Sequence, residues 1–183
     1  GAHYVARNMA NRPDFVIVGE QTLSKVAIGE RGFASTQVTT RGRAAHGALP
    51  WEGANAIEGM AEVIVALRRE MWPALEERVS PYFHHSSASI NMISGGIKQN
   101  VVPDECTIYI DRRILPGEVP DEVVQEIREV AERAVADVPG VTVEVVGLGL
   151  TAATMSDPES PAVRTMLAAN ERLGLSTELT GFS

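Results

Sequence analysis

SASINMISGGIKQNVVPDECTIYIDRR, residues 87–113, decides how this chain folds. Residues 87–94 and 106–113 each alternate apolar with polar side chains, the period of a strand with one covered face. Gly95-Gly96 breaks the first run, so the two runs are strands of a hairpin joined by a long loop.

Working outward, the hairpin is flanked on each side by a helix and then a strand. Upstream, Asn55 with Glu58 three residues later reads as a capping box, and Ile57, Met60, Ile64, Leu67 and Met71 then recur at helical spacing. Before that helix, residues 24–41 are extended, with an irregular segment from Gly29 to Gly32. Downstream, Val123, Ile127, Val130, Ala134 and Val138 mark a second helix from about Pro120 to Asp137, which Pro139-Gly140 ends; VTVEVV, residues 141–146, is the last strand. The order βαββαβ predicts an α+β, ferredoxin-like domain: four antiparallel strands with two helices on one face. The other face of such a sheet needs a cover, from a neighbouring domain or another subunit. The fold alone decides no function.

The flanks have a different character. Residues 1–10 read as a short helical piece, with Ala2, Val5, Ala6 and Met9 on one side, and Arg12-Pro13-Asp14 turns the chain. FVIV, residues 15–18, is an unbroken apolar run of the kind found in strands buried on both faces. At the other end Ser160-Pro161 starts a helix through Val163, Met166, Leu167, Asn170 and Leu173, Gly174 stops it, and LSTEL is extended. These α/β flanks lack the rest of the sheet they need. The expected organisation is therefore residues 1–23 and 149–183 as two pieces of one α/β domain, with residues 24–148 as a complete module inserted between them.

Composition removes several classes of function. With 44% apolar and 22% charged residues among 183, the chain has the balance of a globular protein, and its apolar runs are too short to cross a bilayer. Sixteen basic against 24 acidic side chains give a net charge of −8, which repels a phosphate backbone, and the strands carry no aromatic RNP pattern; no nucleic-acid or membrane partner is expected. A single cysteine, Cys106, forms no internal disulfide and fits a reducing, cytoplasmic setting.

Five residues stand out for chemistry, each with a plainer alternative. His46, in RGRAAHGALPWEGANAI (41–57), sits among small neighbours that allow close approach; it is either a loop histidine bonded to the backbone or a group that meets a ligand. Asn100, in GGIKQNVVP, suits either turn chemistry or binding. Arg113 ends a strand beside Asp111 and Arg112, and Arg31 lies in GERGF; each reads as a surface ion pair or an anion contact. Glu20 directly follows FVIVG, at the carboxyl edge where open α/β sheets place ligands, or else it caps a turn. His84-His85, being adjacent, project differently and make no two-ligand clamp, and no HExxH or paired CxxC exists to complete a zinc site.

Taken together, IVGEQT, GERGF, RGRAAHGALPWEGANAI and SGGIKQNVVPDECTIYIDRRILPGE resemble, in order and spacing, the M20 family of zinc-dependent amidohydrolases and exopeptidases, which includes acetylornithine deacetylase, succinyl-diaminopimelate desuccinylase, aminoacylase and glutamate carboxypeptidase. The resemblance implies a two-zinc α/β catalytic domain interrupted by a ferredoxin-like lid that also makes a homodimer. It implies that Glu20 is a zinc ligand, that His46 reaches a substrate oxygen in the partner's active site, and that Asn100, Arg113 and Arg31 position the substrate's carboxylate and carbonyl. The substrate implied is a small N-acyl amino acid or peptide. The other zinc ligands and the general base of that family have no counterpart here, so the chain by itself is expected to be inert and to hold no zinc tightly. The alternative reading is a non-catalytic dimerisation or regulatory module of the same fold.

Overall fold

In a computed structural model of the chain, the described residues are Tyr4, 7–11 and 13–182, and they divide into two units. One comprises the described residues up to Ile28 together with Ser156–Thr180; the other runs Gly29–Met155 and includes Gly181 and Phe182.

The larger unit holds a four-stranded sheet built from β2 (Gly32–Arg41), β4 (Ser87–Gly95), β6 (Glu105–Ile114) and β7 (Thr142–Thr151). Its order is β4-β6-β2-β7, and every neighbouring pair is antiparallel. The last strand thus lies beside the first, as the βαββαβ reading requires. Alternation creates the two faces. On β6, Cys106, Ile108, Ile110, Arg112 and Ile114 are buried on the helix side, while Thr107, Tyr109, Asp111 and Arg113 are half-buried on the other. Burial pushes the Cys106 thiol pKa up, which leaves it a packing residue. Bulges at Asn91 in β4 and Leu148 in β7 each insert one residue into an outer strand.

Two helices cover the buried face. α1 (Ala56–Ala66) begins at Asn55, whose side-chain oxygen accepts the Ile57 and Glu58 N–H groups while its amide donates to Glu58 Oε1 at 2.9 Å. The box therefore closes side chain to side chain. Met60, Val63 and Leu67 are fully buried, whereas Ile57 at the first turn is exposed. The helix continues through a π-helical stretch, Leu67–Met71, into Trp72–Glu76. Pro73 supplies the cause: it has no N–H for Arg69 and its ring would strike that carbonyl, so the ladder slips and Trp72 N–H bonds to Leu67 O. α2 (Pro120–Val135) presents Val123, Ile127, Val130 and Ala131 to the same core. The two helices meet the sheet around Val38, Ile108 and Ile110, and Gly59 permits close approach to Val141, since a Cβ there would lie 2.6 Å from its Cγ1.

Short elements complete the picture. β1 (Val26–Glu30) pairs with β8 (Thr154–Met155) through Gly29 opposite Met155, and Arg31 separates β1 from β2, the irregularity read between Gly29 and Gly32. β3 (Ala45–His46) pairs with β5 (Val101–Val102). β7 runs five residues past the expected end at Val146, and β9 is Leu179–Phe182, so most of LSTEL is not in a strand.

In the smaller unit, α3 (Pro161–Arg172) starts at Ser160, whose hydroxyl accepts the Val163 N–H, and ends before Gly174 at φ 67°. Buried Asn170 donates to the Ser24 and Ser176 carbonyls, both at 2.7 Å. FVIV corrects the sequence reading: residues 15–18 form no strand and are 48–73% exposed. A strand exists only with ladder partners, and among the described residues none lies beside this run. Of the expected first helix, Ala2, Val5 and Ala6 lie outside the described residues, as does Arg12 of the turn; Tyr4, Arg7 and Asn8 are helical. Among the described residues no helix is long and apolar enough to cross a membrane.

Candidate functional site

Four of the five singled-out residues fall in the larger unit, in two groups. His46 and Asn100 form the first. The two-residue ladder sets His46 opposite Val101, and Gly47 N–H donates to Asn100 O at 2.8 Å. Gly47 has to be small: a Cβ there would come within 3.1 Å of the Asn100 backbone. The Ala48 N–H donates to His46 Nδ1 at 3.1 Å. With Nδ1 accepting, a neutral imidazole carries its proton on Nε2 and offers it outward as a donor from an exposed ring. The backbone-bonded histidine and the ligand-meeting histidine are thus one arrangement, because the first bond orients the second. A hollow of about 620 Å³ opens beside the pair, lined by Ile57, Ile97, Lys98, Val101 and Pro103 among others.

Arg113 and Arg31 form the second group. Arg113 pairs edge-on with Asp111, Nε to Oδ1 at 2.8 Å and Nη2 to Oδ2 at 3.1 Å. Arg31 donates from Nη1 to the His85 carbonyl at 3.3 Å. Burial lowers the Arg31 pKa and the charge of Arg113 pushes it the same way, while Asp111 opposes both. His84 and His85 are exposed.

The two groups lie toward opposite ends of the sheet. His46 follows the Arg41–Glu105 pair at one end of the β2–β6 ladder, and Arg113 faces Phe33 at the other. The eight steps along β6 from Glu105 to Arg113 span about 27 Å at strand rise.

Glu20, in the smaller unit, is exposed and uses its carbonyl to accept the Thr22 N–H. Among the described residues no three His, Cys, Asp or Glu side chains cluster so as to hold a metal.

One network was not singled out from the sequence. Arg112 is fully buried and pairs with Glu118 at 2.6 Å, and its Nη1 donates to the Arg113 carbonyl. Glu118 also accepts from Ser86 Oγ, the Leu115 N–H and Arg78, and Arg78 reaches on to Glu126. Burial works to raise the Glu118 pKa, but the hydrogen bonds from Ser86, Leu115 and Arg78 and the charge of Arg112 outweigh it and hold the carboxyl below its ordinary range. Burial lowers the Arg112 pKa against the pull of Glu118. The alternation of β6 carried the signal, since Arg112 shares its phase with Ile108 and Ile110.

Residues 28–139 match the peptidase dimerisation domain of the M20 family. Acetylornithine deacetylase of Vibrio atlanticus is 32% identical over 142 residues, covering 76% of this chain and 38% of the relative; that of Aliivibrio fischeri strain MJ11 is 30% identical with the same coverage. The chain therefore spans under two fifths of the length of these curated relatives. Among solved structures, a tripeptidase from Staphylococcus aureus has a TM-score of 0.77 at 22% identity, covering 97% of this chain and 47% of that one. Aminopeptidase PepT from Bacillus cereus has a TM-score of 0.68 at 22% identity, covering 90% and 42%. Named hydrolases thus surround the chain in both sequence and fold, and with its dimerisation domain matched over most of its length, it belongs to the M20 family of peptidases and amidohydrolases.

Proposed function

We propose that this chain is the lid, with adjoining pieces of the catalytic domain, of a zinc-dependent amidohydrolase that cleaves small N-acyl amino acids or peptides as a homodimer. Residues 24–148 are the lid in this reading, and residues 1–23 and 149–183 belong to the catalytic domain. Zinc is assigned to the intact parent, with Glu20 as one carboxylate ligand.

The observation that carries the reading is the separation of His46 from Arg113. A small amide substrate has its carboxylate a few bonds from its scissile carbonyl. It cannot span about 27 Å of strand, so one copy of the lid cannot offer both groups to one substrate. Two copies related by a twofold axis can, one supplying the His46 end and the other the Arg113 end. His46, held by Ala48 with its Nε2–H outward, donates to the carbonyl oxygen as negative charge develops there, and Asn100 helps to position that carbonyl. Arg113 and Arg31 hold the substrate's carboxylate. Dimerisation has a surface suited to it: β4 is an edge strand with Met92 and Ile93 exposed, and Ile57 and Val65 are exposed on α1.

The test is hydrolysis of N-acyl amino acids by the intact parent. His46→Ala should slow turnover by about 10² to 10³, the usual effect of deleting one oxyanion donor, with bound metal unchanged. Unimpaired turnover would remove His46 from the mechanism, and no hydrolysis by the wild-type parent would overturn the activity.

A further inference from the structure

The scissile carbonyl belongs to the acyl half of an amide, so whatever grips its oxygen stands beside the acyl group. In the reading above, His46 and Asn100 grip that oxygen, while the other copy's Arg113 end takes the amine half. The acyl group is thereby left to the hollow that opens beside the pair. Its walls include Ile57, Ile97, Val101 and Pro103, and Lys98 is the one charged side chain among the described residues that line it. Lys98 forms no ion pair among the described residues. Its carbonyl accepts the Val101 N–H at 3.2 Å, which ties the turn that carries it to the strand paired with His46. Glu58 follows the wall residue Ile57, but its Oε1 is engaged by the Asn55 amide at 2.9 Å and it does not line the hollow.

We propose that this hollow is the acyl subsite and that Lys98 sets its specificity, rejecting the α-ammonium of an aminoacyl group while admitting acyl groups without a positive charge. The parent is then a deacylase of N-acyl amino acids and not an aminopeptidase. The proposal rests on the hydrolase reading above and narrows its substrate from N-acyl amino acids or peptides to the first. An aminoacyl group carries its ammonium on the carbon next to the scissile carbonyl, within a few bonds of the oxygen that His46 meets. Holding that ammonium takes a carboxylate or carbonyl oxygens aimed at it. A lysine in the same hollow repels it instead, and more strongly once closure has excluded water.

Propionyl and glycyl groups share one heavy-atom skeleton, with a methyl in the first where the second has an ammonium, so N-propionyl-leucine and glycyl-leucine isolate the charge. The assay uses the full-length, metal-loaded parent at about pH 7, where the dipeptide's amine is mostly protonated. Wild-type kcat/KM should favour the propionyl substrate by about tenfold or more, and Lys98→Glu should move the ratio toward the dipeptide by about tenfold or more. Lys98→Gln should fall between. A wild-type preference for the dipeptide overturns the proposal, and so does a ratio that Lys98→Glu leaves unmoved, as an equal loss on both substrates would. A second readout needs no turnover. The Ile57 and Ile97 methyl signals of the parent should shift when N-propionylglycine is titrated in and should ignore glycylglycine; in Lys98→Glu, glycylglycine should move them too. If the parent hydrolyses neither substrate, the hydrolase reading fails while this titration still judges the hollow. The charge-dependent response upholds the subsite, and silence toward N-propionylglycine or equal wild-type responses to both ligands overturns it.

Discussion

Arg112 and Arg113 are consecutive on β6 and serve opposite faces of the sheet: Arg112 is fully buried against Glu118 at 2.6 Å, and Arg113 is 40% exposed against Asp111 at 2.8 Å. The same residue type thus does two jobs, decided only by strand phase. Arg112 ties its strand to the Leu115–Glu118 turn and, through Ser86 and Arg78, to the segment after α1. Arg113 is left facing away from the helices, where a ligand can reach it.

Glu118→Gln should therefore cost about 3–5 kcal/mol, the range for leaving a buried charge without its partner. Denaturant unfolding of the variant and the wild type checks this. A loss below about 1 kcal/mol would mean that Arg112 finds equivalent partners.

The same pair predicts a pH dependence with a definite sign. The folded-state pKa of Glu118 is depressed, so its contribution is fully present above the unfolded carboxylate pKa of about 4.3 and is lost as pH falls through the lower folded value. The stability gap between wild type and Glu118→Gln should be flat from neutral pH to about 5 and narrow below about 4.3. Taking the difference removes the titration of the other carboxylates common to both proteins. A gap that stays constant down to pH 3 would contradict the assignment.

How far the sequence reaches can be judged on these elements. Strand phase in residues 106–113 and helix phase in residues 55–71 were legible because periodicity is local, and the βαββαβ order follows from them. The β3–β5 ladder was not, since two residues on each side carry no period. FVIV was misread because an apolar run states only that a strand is possible, and its partners must come from elsewhere in a fold. His46 and Asn100 stood out by residue type, yet their adjacency rests on that short ladder, and the distance of Arg113 from them became visible only in the register of β2 against β6.

Asn55 offers a smaller, cleaner test of the local reading. Its side chain accepts two N–H groups at the start of α1 and donates to Glu58. Asn55→Ala should lower stability by about 1 kcal/mol, whereas Asn55→Asp, which keeps the acceptor but faces Glu58, should recover only part of it. Thermal unfolding of the three proteins gives the order. Asn55→Ala matching wild type would mean that another group caps the helix.

The separation of His46 from Arg113 leads to the most demanding prediction, made for the full-length parent. His46→Ala loses the donor but keeps Glu20, and Glu20→Ala loses the assigned zinc ligand but keeps His46. Each homodimer is then deficient at both of its sites. When the two variants are co-expressed, about half of the dimers are mixed by random pairing in an isologous dimer. If His46 serves the partner's site, the His46→Ala subunit of a mixed dimer has its own Glu20 and borrows His46, so one site of two is whole. Activity should return to roughly a quarter of wild type, because half the dimers carry half the sites. If His46 serves its own subunit, neither site in the mixed dimer is whole, and activity stays at the level of the single variants. Differential tags and tandem purification show whether mixed dimers formed. Pure mixed dimers without recovered turnover would overturn the shared site and with it the explanation offered here for why His46 and Arg113 stand toward opposite ends of the β2–β6 ladder.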